Sequence, residues 1–267
     1  MTRTVQARGI PSLRSWSGVE VALAAVLLAL AGISWLLSAV LGMPEMRMGL
    51  LTGTGQAEMS GGPAPFALFL AVWVVMMAAM MLPAITPFTI GVSRLVRARR
   101  KRGVLPSLTL GYLLVWTAAG VAAWAILRGF DAIDHSGTSV RVGAVVLLVA
   151  GAYEFSPLKR WCLVRCRSPL ALVVKHGDTV VRGRLGLGAL RVGVHHGGYC
   201  LGCCWALMVV LLAVGAMNLL WMAVLAAVIA MEKVLPRAEI VSSALGAVLI
   251  GAGVVLLIAP GLLAPMA

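Results

Sequence analysis

The chain has 267 residues, 61% of them hydrophobic and 12% charged, with a mean hydropathy of +1.01 and a net charge of +13. That apolar content exceeds what a soluble domain of this size requires, and its long runs are too continuous for barrel strands. The positive charge lies in short segments between apolar runs, without aromatic interleaving or a nucleic-acid motif, which excludes a nucleic-acid partner.

Taken in chain order, the apolar runs predict an all-α, polytopic transmembrane helix bundle. About seven spans are expected, near 20–41, 66–90, 107–127, 140–157, 199–217, 219–235 and 240–259, in a single integral membrane domain. Arg3, Arg8 and Arg14 precede the first run, as in a signal peptide. That run is longer than the roughly 7–15 apolar residues of a signal sequence, so it reads as an uncleaved first helix. A cytoplasmic N-terminus places 19 of the 22 Lys and Arg residues inside and leaves Arg47, Arg128 and Arg141 outside. The expected location is therefore a bacterial inner membrane, with the C-terminus outside.

The first outer loop holds Met43, Met46, Met48 and Met59, which read either as interfacial anchors or as soft copper-capturing groups. The second span carries Met76, Met77, Met80 and Met81, two interleaved pairs at helical spacing just before Pro83 and Pro87. Methionine is a common core filler. Thioethers also bind Cu(I) without losing a proton, so the stripe is a candidate relay through an apolar medium. Asp131, Asp134 and His135 form an ordinary polar group on the outer side.

Glu154 closes the fourth span. A carboxylate in or near hydrocarbon requires a partner, and Lys159 and Arg160 follow closely. Cys162 and Cys166 lie next, in a basic inner segment spanning 158–198. Within it, Thr179 to Val194 either lies on the inner surface as an amphipathic helix or runs on into the fifth span.

His195 and His196 lead into Cys200, Cys203 and Cys204. The i, i+3, i+4 spacing puts three thiols on one helix face, with Met208 one turn further on. Thiolates and thioethers are soft ligands that favour Cu(I), with Zn(II) or an iron–sulfur centre as rivals. Disulfides are not expected, because all five cysteines fall on the predicted inner side. Gly198 and Gly202 make a small-xxx-small pair, which reads as close helix packing. If the fifth and sixth spans fold back at Met217-Asn218, Cys203 lies level with Glu232. Glu232 then either pairs with a cation or tunes charge beside the thiols. The metal-ligand candidates are Cys200, Cys203, Cys204, Met208, Met76, Met77, Met80, Met81, Glu232, His195, His196, Glu154, Cys162 and Cys166.

These residues sit in three blocks: W-x-x-M-M-A-A-M-M-L-P at Trp73–Pro83, Y-E-F-S-P-L-K-R-W-C-L-V-R-C at Tyr153–Cys166, and His196–Pro236, which opens H-G-G-Y-C-L-G-C-C-W-A-L-M. The blocks resemble a bacterial family of predicted metal-binding integral membrane proteins, similar to a membrane copper chaperone for copper oxidases such as tyrosinase. The resemblance implies core positions at Cys200, Cys203, Cys204, Glu232, Met76, Met77, Met80 and Met81. It also implies a copper-dependent enzyme or copper carrier protein as partner, beside the lipid bilayer.

Three functions follow in order. The first is a Cu(I)-binding membrane protein for copper delivery or transport. The second is a membrane redox enzyme or its metal-centre subunit. The third is a helix-bundle partner subunit whose cysteines only pack. No P-loop or phosphorylated-Asp motif is present, so an ATP-driven pump is not expected. The sequence favours a carrier over an enzyme and assigns no catalytic residue.

Overall fold

The computed structural model describes residues 17–41, 63–97, 103–131, 139–167, 187–214 and 219–259. The outer Met43, Met46, Met48 and Met59, the N-terminal arginines, Asp134, His135 and residues 179–186 lie outside the described residues. The described chain is helical throughout, in eight helices: α1 Gly18–Leu41, α2 Pro63–Arg97, α3 Val104–Asp131, α4 Ser139–Glu154, α5 Pro157–Arg167, α6 Leu187–Val214, α7 Leu219–Val234 and α8 Ala238–Ile258. Five of them (α1, α2, α3, α6 and α8) are long and apolar enough to cross a membrane, and α4 with α5 makes a sixth, bent candidate. The molecule is a polytopic membrane helix bundle. The expected seven spans are approximate, because α7 has 16 residues, about 24 Å at 1.5 Å per residue, against a hydrocarbon core of about 30 Å.

Two boundaries differ from expectation. The fourth run stops at Glu154, and the chain turns by 64° into α5 instead of continuing to residue 157. Ser156 caps the new helix by accepting a hydrogen bond from the Lys159 backbone N–H at 3.1 Å, with Pro157 at the first helical position. Helix α6 begins at Leu187, ahead of the span expected from residue 199; of the two alternatives for this segment, residues 187–194 run straight into the helix. At 28 residues, or about 42 Å, α6 outreaches the hydrocarbon at its ends, where Arg191 is exposed.

Helix directions follow from paired positions. Glu20 in the first turn of α1 pairs with Arg94 near the end of α2 at 2.9 Å, so the two run antiparallel. Glu20 also accepts from the Ser17 backbone N–H, as the third-position acid of a capping box does. Trp73 donates from its indole N–H to the Trp116 carbonyl at 2.9 Å across the antiparallel α2 and α3. A Cβ at Gly120 would stand 2.5 Å from that indole ring, so the position requires glycine. The α3 and α6 helices run parallel: along them Gly193 meets Leu108, Gly111 meets the Val194 backbone, and Gly197 meets Val115. Small residues there let the backbones approach, as membrane interfaces require. Helix α6 is the most enclosed span and α1 the least.

Candidate metal centre

The sulfur site is built on the enclosed face of α6. Cys200, Cys203 and Cys204 are each at most 1% exposed. The Cys203 thiol donates to the Cys200 carbonyl at 3.1 Å, and its sulfur lies 3.3 Å from that of Cys204. All five cysteines are free and buried.

Helix α5 completes the group. Its turn away from α4 lays it along α6, with Lys159, Cys162, Leu163 and Cys166 on the buried side. The sulfurs of Cys166, Cys200 and Cys203 all lie within 4.8 Å of one another. A metal–thiolate bond is about 2.3 Å long, so two sulfurs sharing an ion stand up to about 4.6 Å apart. The three thiols therefore fit one soft metal ion. Cys162 sits one turn earlier and packs over Gly202, where a Cβ would be 2.7 Å from its sulfur. The Tyr153 hydroxyl donates to the Gly202 carbonyl at 2.6 Å, fixing the end of α4 against the same stretch of α6.

Two residues that the sequence reading passed over also reach the thiols. The Tyr112 hydroxyl, fully buried on α3, lies 3.1 Å from the Cys200 sulfur. The Lys233 ammonium donates to the same sulfur at 3.0 Å and lies 3.9 Å from the thioether sulfur of Met81. Lys233 was legible in outline, as a cation inside an apolar run at the depth of the cysteines. Tyr112 had no local signal beyond a hydroxyl in a span.

Among the other predicted ligands, Met76, Met77, Met80 and Met81 are all buried in the core, and Met81 reaches the site through Lys233. Met208 is buried further along α6. The two histidines part: His195 is exposed, whereas His196 is buried and stacked on Phe88, with ring centroids 3.8 Å apart. The His196 Nδ1 has no hydrogen-bond partner among the described residues. Glu154 and Glu232 do not join the thiol group. Both accept from the buried Lys159 ammonium, Glu232 at 2.7 Å, and Glu232 also accepts from the Ser242 hydroxyl at 2.6 Å. The carboxylates thus close a separate ionic cluster at the junction of α4, α5, α7 and α8.

A family model described as PpoB2, copper chaperone, matches residues 70–256, well over half of the chain. The chain belongs to this copper chaperone family. The matched stretch covers the α2 methionines, all five cysteines, Lys159, Glu232 and Lys233, and leaves out α1. No curated protein and no solved structure matches the chain. Family membership and the clustered thiols together give this chaperone-family protein a copper-related role, and its apolar helices place it in contact with lipid.

Proposed function

We propose that the protein is a Cu(I) chaperone of a bacterial inner membrane, which holds the ion between buried thiols and delivers it to a copper-dependent enzyme. The observation that carries this reading is the convergence of Cys166, Cys200 and Cys203 inside the bundle. Soft sulfur donors in a low-dielectric setting favour Cu(I) over Cu(II) and over hard divalent ions. The α2 methionines supply neutral thioethers through the core, with Met81 3.9 Å from the Lys233 ammonium that donates to Cys200, and act as the path along which copper passes. Cys204 offers a fourth sulfur beside Cys203 for ligand exchange. Glu154 and Glu232 hold α5 in place through Lys159 and are not ligands in this reading.

The test is metal content by mass spectrometry on protein purified anaerobically in detergent and loaded with Cu(I). Wild type is expected to carry near-stoichiometric copper. The Cys166/Cys200/Cys203→Ser variant is expected to lose it, and Cys204→Ser to retain most of it. Equal trace copper in wild type and the triple variant would sink the reading.

A further inference from the structure

We propose that His196 is the loading ligand of the thiol site: its ring nitrogen receives Cu(I) from the cytoplasmic end of the bundle and hands it one helical turn on to Cys200. This rests on the Cu(I) reading above. It adds a nitrogen donor, and an order of steps, to a site otherwise made of sulfur.

His196 is 2% exposed, and its Nδ1 meets no hydrogen-bond partner among the described residues. A buried polar nitrogen without a partner is costly, and a native structure that keeps one requires a reason. Packing alone does not supply it. The ring stacks on Phe88 of α2 with centroids 3.8 Å apart, and tilts against Tyr112 of α3 at 5.8 Å. A phenylalanine would fill such an aromatic slot without burying an unpaired nitrogen. The two aromatic neighbours hold the imidazole plane and leave Nδ1 uncommitted. That arrangement suits a metal donor, since imidazole is a common metal ligand through either ring nitrogen.

Its place in the bundle gives the order of steps. His196 precedes Cys200 by four residues, on the same face of α6 and about 6 Å away along the helix axis. On α2 the contacts run the other way. Met81 meets the Lys233 ammonium beside Cys200, and Phe88, two turns later, meets His196. The two helices are therefore antiparallel, and His196 lies on the side of the thiols toward Arg191 and Arg94. The excess of Lys and Arg assigns that end to the cytoplasm. Met76, Met77 and Met80 lie on the other side, before Met81 in α2. His196 thus stands between the thiols and the cytoplasm, and the methionines between the thiols and the opposite face. Transfer is a ligand exchange: a nitrogen–copper bond breaks as a sulfur–copper bond forms at Cys200, and copper stays Cu(I). Imidazole is a harder donor than sulfur, so the ion moves on to the thiols and remains there. His196 therefore governs the rate of loading and not the final affinity.

The experiment follows Cu(I) transfer from a chromophoric Cu(I)–chelator complex to full-length protein in detergent, by anaerobic stopped-flow absorbance. Equilibrium competition with the same chelator gives the affinity. Wild type, His196→Phe and His196→Met are compared, with His195→Phe at the exposed neighbour as control. His196→Phe keeps the stack on Phe88. It is expected to slow loading by about 10–100-fold, the scale on which groups just outside a metal's ligand shell act, and to leave the affinity unchanged. His196→Met restores a soft donor and is expected to load much faster than His196→Phe. His195→Phe is expected to load as wild type does. If His196→Phe does not fold, His196→Gln makes the same comparison, with similar bulk and no ring nitrogen. A wild-type loading rate in His196→Phe would overturn the proposal, because copper would then enter by another route. Equal losses of rate and affinity would overturn it too, as would His196→Met loading as slowly as His196→Phe, or an equal slowing in His195→Phe. Wild type that takes up no Cu(I) would overturn the function reading, and this proposal with it.

Discussion

Lys159 is enclosed at 1% exposure between two carboxylates, with Ser242 completing the coordination of Glu232. One ammonium faces two acids, and the Glu154 Oε1 has no hydrogen-bond partner among the described residues. Such a cluster contributes little net stability compared with a well-packed apolar replacement, yet removing one member strands the others. Lys159→Met is therefore expected to destabilise the protein by about 3–5 kcal/mol, because it leaves two buried carboxylates without their cation. Adding Glu154→Gln and Glu232→Gln should recover much of that loss. Thermal unfolding in detergent, followed by size-exclusion of the heated sample, reads both variants. A Lys159→Met protein as stable as wild type would show that the cluster does not hold α5 to α7 and α8.

At the scale of elements, the site depends on how α5 lies along α6, and Gly202 sets that distance. A Cβ there would come within 2.7 Å of the Cys162 sulfur, and a larger side chain would push α5 outward. Cys166, one turn beyond Cys162, would move away from Cys200 and Cys203. Gly202→Val is accordingly expected to lower Cu(I) affinity by about tenfold or more although no cysteine is replaced. Chelator competition checks this, and unchanged affinity would mean that Cys166 is dispensable. The same elements show what the sequence made legible. The α6 thiol face was readable because helical spacing is local, and the spans because hydropathy is local. Cys166 entered the site only through the 64° turn after α4, which depends on packing. The depth expected for the α6–α7 pair was near the mark, since Cys200 meets Lys233. Helix phase decided which residue faces the thiols: Lys233 turns to them, while Glu232 turns to Lys159. A one-residue difference is invisible to depth counting and requires the orientation of α7 about its own axis. The continuity of residues 187–194 with α6 was an open choice, because Arg191 among apolar residues fits either a surface helix or a protruding helix end.

For the whole molecule, the relative helix directions bear on topology. The α1 and α2 helices are antiparallel through Glu20 and Arg94, and α2 and α3 through Trp73 and Trp116. The α4 and α8 helices are antiparallel too, since Gly151 meets Gly246 and Ile250 while Gly253 meets Leu148 and Ala144. The α3 and α6 helices run parallel, which requires a return through α4 between them. The α6 and α7 helices are antiparallel through Cys200 and Lys233. An alternating path of α1, α2, α3, α4, α6, α7 and α8, with α5 turned back against α6 after α4, satisfies every one of these relations. It gives an odd number of crossings although α7 is short. On that path Arg94, Lys159, Arg165, Arg167, Arg191 and Lys233 fall toward one end of the bundle, the end that the excess of Lys and Arg assigns to the cytoplasm. Arg165 caps that end over the Trp161 ring at 3.6 Å, beside Tyr199, where amphipathic aromatics suit an interface. A reporter enzyme active only outside the cytoplasm should therefore be silent when fused at residue 100 and active when fused after residue 267. Activity at both positions, or at neither, would mean that the number of crossings between them is even, and α7 would then be a re-entrant helix that leaves the membrane on the side it entered.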